Sequence, residues 1–313
     1  MLRMRSLREV RSRDLSVLLQ EEAEHWAAEL EWDYSDVAAA ISAGLDGRTV
    51  EGAVHVDGAR AVAYCYWLRE EERAVVGAAF ACEGFRGRGL EEALIDAVIA
   101  EAQGVSGSVR VEGQTLFSTG QRTDERFAQA GFAGCQRGYL VRPLAQVPAP
   151  PPHAWRLRPL CRGDLIAAAA LIHRSHVGTI DARLNSTYAS PARALRFVES
   201  LVLRDACGRF EPQASFIVDG VGGPDGVILC SRLSANNGHI CQVSVGPHVQ
   251  RRGLGSVLML ASLGALSAAG FRTASLSVTV ENDPACRLYD RLGFRPRRTY
   301  GAHAWVRASR LGM

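Results

Sequence analysis

Apolar residues recur at helical spacing after a glycine-containing loop in each half of the chain. In the second half a glycine-containing loop opens a run over residues 256–269, and the apolar positions include Leu254, Val257, Leu258 and Leu263. Gly270 follows this run, and glycine commonly ends a helix. Residues 90–100 show the matching pattern in the first half. Each pattern predicts an amphipathic helix.

Shorter apolar runs predict the strands. Residues 215–218 and 227–229 flank a turn rich in glycine, proline and aspartate, which is typical of antiparallel neighbours. The Asn-Asn-Gly sequence at 236–238 predicts a hairpin turn into a further strand at 240–245. The stretch 240–280 has room for a strand, a loop, a helix and a second strand, and such a crossover makes the two strands parallel. The expected fold class is therefore α/β, a mixed sheet flanked by helices.

The two halves of the chain repeat one order of elements. Each opens with a basic strand of the form R-x-R-x-L, passes through helices and strands to a Gly/Arg loop with its helix, and closes with a Gly-Phe pair. This order indicates an internal duplication of one domain. Four prolines within residues 146–154 favour an extended linker. We therefore expect one domain at 1–145 and a second at 155–313.

Composition narrows the classes of function. The net charge of the 313 residues is only +3 and the basic residues are spread along the chain, which argues against a nucleic-acid partner. The longest apolar runs, such as residues 166–172, are too short to span a bilayer, and residues 1–10 lack the apolar core of a signal peptide. We expect a cytoplasmic protein without membrane association. The eight cysteines form no C-x-x-C pair, so we expect no metal site. The oligomeric state is not predicted.

The loop at residues 250–256, Gln-Arg-Arg-Gly-Leu-Gly-Ser, carries the clearest chemical signal. It follows an apolar strand and opens a helix, so several backbone N–H groups point outward where the helix dipole adds partial positive charge. Glycines permit close approach of a ligand, and arginines on the rim add charge. This arrangement predicts an anion site, most plausibly for a pyrophosphate. The spacing differs from that of dinucleotide-binding loops and P-loops.

At this loop the sequence resembles the GNAT superfamily of N-acetyltransferases. The family hallmark [RQ]-x-x-G-x-[GA] is matched by Gln250, Gly253 and Gly255. The resemblance covers most of residues 155–305. Further matches in chain order are the V-x-V-G-P run at 243–247, Asn282, Tyr289 and the L-G-F run at 292–294.

The resemblance implies an acetyl-CoA-dependent N-acetyltransferase with its site in the second half. Backbone groups of the splayed strand would hold the acetyl and pantetheine portion, loop amides would hold the pyrophosphate, and Asn282 would contact the pantetheine arm. The residues expected to bind acetyl-CoA are Val243, Ser244, Val245, Gln250, Arg251, Arg252, Gly253, Leu254, Gly255, Ser256 and Asn282.

The resemblance also places Tyr289 beside the thioester sulfur, where its hydroxyl would protonate the leaving thiolate. A base for the amine is less defined. Some family members use a glutamate six residues before the equivalent of Val245, and His239 stands there. His239 could act as a base because histidine titrates near pH 6.5, or it could be an exposed hairpin residue. Glu281 is a second candidate, acting through water. We expect Cys286 to be a packing residue.

The first half departs from the family pattern at several positions. Glu91 stands in place of the final Gly or Ala of the hallmark, where a carboxylate would repel a pyrophosphate. Phe127 stands in place of the tyrosine and has no hydroxyl. Glu83 replaces the proline of V-x-P, and Val75 takes the position of His239. We expect a degenerate domain, although Arg86 and its neighbouring glycines leave weak acetyl-CoA binding open.

The acceptor is expected near residues 174–200. Asp181 and Tyr188 are the candidate substrate-binding residues, because a carboxylate would favour a cationic amine, although this segment could equally be a solvated loop. His173 and His176, three residues apart, fit a solvated helix edge. Two alternatives to a small-molecule or peptide N-acetyltransferase stay open. One is a non-catalytic acyl-CoA-binding or regulatory protein, and the other is an enzyme that modifies lysine or N-terminal amines of proteins.

Overall fold

The computed structural model describes residues 2–70, 73–105 and 109–307. These residues form two compact units. The first unit contains the described residues up to Gln136 and those from Tyr300 onward. The second unit is Arg137–Thr299.

The first unit is a mixed sheet with four α-helices. Its sheet order is β1-β2-β3-β4-β5-β13, in which β4 and β5 are parallel and the other neighbours are antiparallel. The strands are β1 Leu2–Ser6, β2 Glu51–Asp57, β3 Arg60–Glu70, β4 Arg73–Ala81, β5 Arg110–Gln114 and, from the far end of the chain, β13 Arg295–Val306. The helices are α1 Ser12–Leu30, α2 Ser35–Gly47, α3 Leu90–Gly104 and α4 Thr123–Gln129.

The second unit repeats this architecture. Its sheet order is β6-β12-β11-β10-β9-β7, with β8 paired to β10, and the parallel neighbours are β11 and β12. The strands are β6 Ala133–Pro143, β7 Leu157–Pro159, β8 Arg209–Phe210, β9 Phe216–Val218, β10 Gly226–Arg232, β11 Asn237–Val245 and β12 Thr273–Thr279. The helices are α5 Leu165–His176, α6 Ile180–Leu184, α7 Pro191–Leu203, α8 Leu254–Ala268 and α9 Asp283–Arg291.

The alternation of side chains along β10 explains why helices lie on both faces of the second sheet. Val227 and Leu229 pack into a cluster with residues of α5 and α7. Ile228 and Cys230 point to the opposite face and pack with residues of α8. Because successive strand residues point to opposite faces, a strand that is apolar throughout must be covered on both. The predicted mixed α/β fold is confirmed.

The closing strand of each half divides between the units. Residues of β6 from Arg137 onward pair with β12 in the second unit, and Ala302–Val306 of β13 pair with β5 in the first. The units therefore differ from the predicted division into 1–145 and 155–313. Residues 144–156, which include the proline-rich stretch 146–154, contain no helix or strand. Proline content marks where the chain is extended, but it carries no information about which sheet a strand completes.

The predicted turn at 236–238 is shifted in the structure. Strand β11 already begins at Asn237, and the turn lies over the residues before it. The hydroxyl of Ser234 accepts the backbone N–H of Asn236 and Asn237 and so closes this turn. Asn237 is fully buried and donates its side-chain amide to the Tyr139 hydroxyl at 3.2 Å. A buried hydrogen bond thus outweighs the turn preference of asparagine.

None of the described helices is long and apolar enough to cross a bilayer.

Candidate active site

The parallel strands of the second unit separate halfway along their length. Strand β11 pairs with β12 only from Asn237 to Ile240, yet it stays paired with β10 as far as Val245. A β-bulge at Cys241 marks the point of separation, because Ile240 and Gln242 pair with consecutive residues of β10. The backbone edge of β11 beyond this bulge therefore faces an opening.

A cavity occupies the opening. Its walls are formed by residues of the separated strands β11 and β12, of α5, α6 and the segment after α6, and of α9. Its lining is Arg137, His176, Asp181, Tyr188, Ile240, Cys241, Gln242, Val243, Leu276, Ser277, Val278, Thr279, Asn282, Ala285 and Tyr289. Five residues expected from the sequence are thus brought together: Asp181, Tyr188, Val243, Asn282 and Tyr289.

The loop at residues 250–256 has the backbone geometry of an anion site. Gly253 has φ +90° and Arg251 has φ +62°, so the chain turns sharply before α8 begins at Leu254. The N–H of Val257 bonds to the carbonyl of Gly253, and the N–H groups of the preceding three residues lie before the helical ladder. They are therefore available to a ligand, with the helix dipole behind them.

The loop also adjoins the splayed strand. Gln250 donates its side-chain amide to the carbonyl of Val245 at 3.3 Å. A Cβ added to Gly255 would lie 3.5 Å from Leu288 and 3.9 Å from Val245, so a side chain there would enter the space between the loop and the strand end. The exposed Arg251 and Arg252 leave their guanidinium groups at the rim. Ser244 lies away from the cavity lining and accepts a hydrogen bond from Gln242.

Tyr289 lines the cavity with a buried phenol. It lies on α9, is 7% exposed and packs edge-on against Phe294. Burial raises the pKa of its phenol well above the usual value, and the charge of Asp181 acts in the same direction. The phenol therefore keeps its proton at neutral pH, as a general acid must. Asn282 starts the same helix and its side chain accepts the N–H of Ala285 at 3.3 Å.

His239, the base expected from the family position, is not among the residues that line the cavity. It is fully buried, its Nδ1 lies 2.9 Å from the hydroxyl of Ser275, and its ring stacks on that of Tyr139. Burial lowers the pKa of His239 to about 4, and the charge of Arg137 adds to this effect. It is neither the exposed hairpin residue nor a group that the fold brings to Tyr289. The reason is its place along the strand, since His239 lies opposite Ser275 where β11 and β12 are still paired, before the opening begins.

Two further residues considered from the sequence, Glu281 and Cys286, are not placed to act as a base or a nucleophile. Glu281 is exposed and does not line the cavity. The thiol of Cys286 is directed to the carbonyl oxygens of Thr279 and Val280, each 3.7 Å away. Burial raises the pKa of this thiol, which disfavours the thiolate that a nucleophile needs.

The cavity lining contains both residues that the sequence predicts to bind the acceptor. Asp181 accepts a hydrogen bond from the Thr279 hydroxyl at 2.7 Å, and the Tyr188 hydroxyl donates to the side-chain oxygen of Gln242 at 3.1 Å. The ring of His176 stacks on Tyr188 with centroids 3.9 Å apart. The sequence interpretation missed His176 as a cavity residue. Its one available signal was its place five residues before Asp181, at the end of a helix with an apolar face.

The equivalent opening in the first unit is filled by the chain itself. Strands β4 and β5 pair only from Arg73 to Val76. Beyond that point the backbone N–H of Thr119 donates to the carbonyl of Ala79, and the Thr119 hydroxyl accepts the N–H of Ala81, both at 3.3 Å. These two strand residues correspond to Val243 and Val245. The backbone groups that would face a ligand are thus satisfied within the protein.

Two side chains complete this filling. Glu91 is fully buried and accepts a hydrogen bond from the Thr119 hydroxyl, and burial raises the pKa of its carboxyl group. Phe127, in the position of Tyr289, is 1% exposed and stacks on His303 at 4.5 Å. The loop position of Gln250 is kept, because Arg86 donates to the carbonyl of Ala81 as Gln250 does to that of Val245. The two loops therefore share a backbone arrangement, which supports the duplication. In the first unit, however, side chains fill the opening, and Phe127 has no hydroxyl to donate a proton.

One cluster among the described residues has ligand types that suit a soft metal. Cys207, His239 and Cys241 place one donor atom each within 4.8 Å of one another. The thiol of Cys241 lies 3.1 Å from the Ser231 hydroxyl. The expectation of no metal rested on spacing along the chain, whereas these residues meet only through the fold.

Comparison with known proteins gives one family match. Residues 184–294 match the family model described as the acetyltransferase (GNAT) family. This range contains the loop, the splayed strands and Tyr289.

Several curated relatives are named mycothiol acetyltransferase. The protein of Gordonia bronchialis is 28% identical over 295 residues, which cover 84% of this chain and 93% of that protein. The protein of Clavibacter michiganensis is 28% identical over 67% of this chain and 65% of its own length. The protein of Actinosynnema mirum is 33% identical over 33% of this chain, and the match spans only 35% of that protein.

Solved structures share the fold across both units. A GCN5-related N-acetyltransferase from Sphaerobacter thermophilus matches with a TM-score of 0.66 at 18% identity, covering 97% of this chain and 95% of that one. A tandem GNAT protein from the clavulanic acid biosynthesis pathway matches with a TM-score of 0.60 at 15% identity, covering 98% of both chains. At this identity the likeness concerns the fold alone, and the fold is a tandem arrangement.

Proposed function

Because the second unit is an acetyltransferase domain of the GNAT family, we propose that this chain transfers the acetyl group of acetyl-CoA to a primary amine. One observation carries the proposal. The open strand edge, the anion-binding loop and the buried hydroxyl of Tyr289 meet around one cavity of the second unit, while the matching opening of the first unit is filled. Stability of the fold alone does not require an open strand edge, an anion-binding loop and a buried hydroxyl around the same cavity.

The donor fits the residues present. From Val243 to Val245, β11 is not paired with any described strand on the side that faces the opening, although side-chain amides bond the two valine carbonyls. The N–H groups on this edge can therefore donate to the pantetheine carbonyl groups. The N–H groups at the start of α8 suit the pyrophosphate, and Arg251 and Arg252 add charge at the rim. Gly255 leaves room for the chain between phosphate and thioester.

The reaction proceeds by direct attack. The amine nitrogen forms a bond to the thioester carbonyl carbon, and the oxyanion that develops is stabilised by strand N–H donors. The carbon–sulfur bond then breaks, and the thiolate takes the proton of the Tyr289 hydroxyl. Burial keeps the phenol protonated until the thiolate forms. The same low-water site leaves the thiolate poorly solvated and therefore more basic, which offsets the weaker acidity of the buried phenol.

The acceptor is a small polar amine in this proposal. The cavity end beyond Tyr289 is lined by Asp181, Tyr188, Gln242 and Thr279, whose hydrogen-bonding groups suit hydroxyl and ammonium groups. The relatives named mycothiol acetyltransferase support a small-molecule acceptor over a protein lysine. Asp181 is the group we assign to the cationic amine, since a carboxylate in a partly buried cavity attracts it.

The proposal is tested with a panel of small polar amines and acetyl-CoA, with thiol release as the readout. We expect turnover by the wild-type protein and a loss of about 100-fold in kcat for Tyr289→Phe. The affinity for acetyl-CoA should change little, because the phenol is needed only when the thiolate leaves. Unchanged turnover in Tyr289→Phe would remove this residue from the mechanism. Saturable acetyl-CoA binding without turnover of any amine would favour the non-catalytic alternative.

A further inference from the structure

His176 is the last residue of α5 and lies at the cavity between Tyr188 and Asp181. It is half-buried, so its ring is neither sealed in the core nor free in solvent. The Tyr188 ring lies parallel to it, with an angle of 3° between the planes. This stacking fixes the direction in which the imidazole nitrogens point.

Hydrogen bonding assigns the proton of the ring. Nδ1 of His176 lies 2.8 Å from the backbone carbonyl oxygen of Ile172, and a carbonyl can only accept. In the neutral ring Nδ1 therefore carries the hydrogen, and Nε2 keeps a lone pair. No residue in the described ranges hydrogen-bonds Nε2. A base needs such a nitrogen, held in place and unoccupied.

The charges around His176 keep it neutral near pH 7. Burial is the largest effect and lowers the pKa of the imidazole below its usual value. The Ile172 carbonyl and the carboxylate of Asp181 oppose this shift, whereas Arg137 from β6 and His173 from the same helix add to it. The phenols of Tyr188 and Tyr289 and the thiol of Cys241 also line the cavity. Burial raises the pKa of Tyr289 and so keeps its phenol uncharged.

We propose that His176 is the general base that removes the proton from the attacking amine. This inference rests on the proposed acetyl transfer. A bound ammonium group first loses one proton to Nε2 of His176, which passes it to solvent and so frees the nitrogen lone pair. The neutral nitrogen then forms the bond to the carbonyl carbon, and the proton that this attack makes acidic passes to Nε2. The carbon–sulfur bond breaks and the thiolate takes the proton of Tyr289. The imidazolium then returns its proton to solvent, and the tyrosinate is reprotonated from solvent, so that both groups are restored.

His176 lines the cavity, whereas the two other candidate bases do not. His239 has one nitrogen bonded to Ser275 and lies outside the cavity lining, and Glu281 is exposed. His176 and Tyr289 both line the cavity, so a base and an acid are available to the two ends of one reaction. Asp181 lies beside the base, where it can hold the amine as a cation before the proton moves.

The experiment compares His176→Gln with Arg174→Gln in the full chain. Arg174 lies on the same helix, is exposed and is not among the cavity residues, so it is the matched control. At pH 7 we expect His176→Gln to lower kcat/KM about 100-fold and the control to stay within about threefold of wild type. Acetyl-CoA affinity should be unchanged in both proteins, which checks that the fold is intact.

The pH profile of kcat/KM separates a base from a structural residue. In the wild-type protein it should rise through the pKa of His176, which lies below 6.5, and level off until the amine itself titrates. In His176→Gln only amine that is already neutral can react, so the profile should rise continuously up to the pKa of the amine. The deficit of the variant therefore shrinks as the pH rises.

Two results would overturn the inference. One is a His176→Gln protein with wild-type kcat/KM, and the other is a uniform deficit with an unchanged pH profile. Absence of turnover in the wild-type protein would contradict the proposed function itself, and the base role with it. Turnover that survives the substitution contradicts the base role alone.

Discussion

The hydroxyl oxygen of Thr119 accepts the backbone N–H of Ala81 at 3.3 Å. Ala81 corresponds to Val245 of the second unit, whose strand edge faces an open cavity. One threonine thus takes, in the first unit, the place that a pantetheine amide would take in the second. The two copies of the domain differ in whether the chain or a ligand satisfies the same backbone groups.

Replacement of Thr119 by valine should destabilise the protein without creating a second binding site. The change leaves the N–H of Ala81 and the buried carboxyl of Glu91 without their partner, and an unsatisfied buried group costs about 1–3 kcal/mol. Chemical denaturation measures this loss. Thr49→Val is the control, because its hydroxyl bonds Gly44 on the exposed surface. Equal effects of the two substitutions would show that Thr119 does not hold the opening closed.

The two loop glycines that precede α8 and α3 should differ in their effect on acetyl-CoA. Gly253 has φ +90° and Gly89 has φ +77°, so valine strains both backbones to a similar extent, by about 1–3 kcal/mol. Only Gly253 belongs to the open site. We expect Gly253→Val to remove the increase in melting temperature that acetyl-CoA causes in the wild-type protein, and Gly89→Val to retain it. Loss of the increase in both variants would argue against a single binding site.

Glu22 should make the first unit less stable as the pH rises. It is fully buried on α1, where it accepts hydrogen bonds from Tyr64 and, at 3.1 Å, from Trp26. Burial raises the pKa of Glu22 from 4.5 to about 7, although these two hydrogen bonds oppose the shift. The folded state then binds more protons than the unfolded state, so stability is fully present below pH 4.5 and is lost up to about pH 7.

The size of this loss is on the order of 3 kcal/mol, from the change in pKa. Glu22→Gln keeps groups that can bond Trp26 and Tyr64 but does not titrate, so its free energy of unfolding should lack this decline. Denaturation between pH 5 and pH 8 measures the difference, with the exposed Glu29→Gln on the same helix as control. A wild-type protein whose decline matches that of Glu22→Gln would contradict the assignment.

Much of the fold was within reach of the sequence, because helix α8 and strands β10 and β11 carry strong periodic patterns and the order of elements repeats. The sequence does not predict that β6, from the first half of the chain, completes the sheet of the second unit, or that β13 completes that of the first. Each strand follows a Gly-Phe pair, and this local pattern does not indicate which sheet the strand joins. The predicted hairpin at 236–238 was misplaced because Ser234 and Tyr139, which fix the actual turn, act through contacts that no local pattern shows.

Some residues of the candidate site can be predicted from the sequence, and others only from the fold. Motif residues such as Gly253, Asn282 and Tyr289 are recognisable because ligand geometry restricts them locally. His176 cannot be recognised in this way, because its proposed role depends on a cavity that β6, α6 and α9 form together with its own helix. His239 illustrates the converse, since counting residues along β11 places it correctly in the strand but cannot show that the cavity excludes it.

The most direct test of the account exchanges the distinctive residue of the two loops. Gly255→Glu gives the second unit the carboxylate that fills the first, and the nearest neighbour of the new Cβ is 3.5 Å away, so the fold should tolerate it. Glu91→Gly makes the reverse change in the first unit. Thiol release from acetyl-CoA with an accepted amine should be abolished by Gly255→Glu and left at the wild-type level by Glu91→Gly. Turnover that persists in Gly255→Glu, or disappears in Glu91→Gly while the fold is kept, would contradict the assignment of acetyl transfer to the second unit.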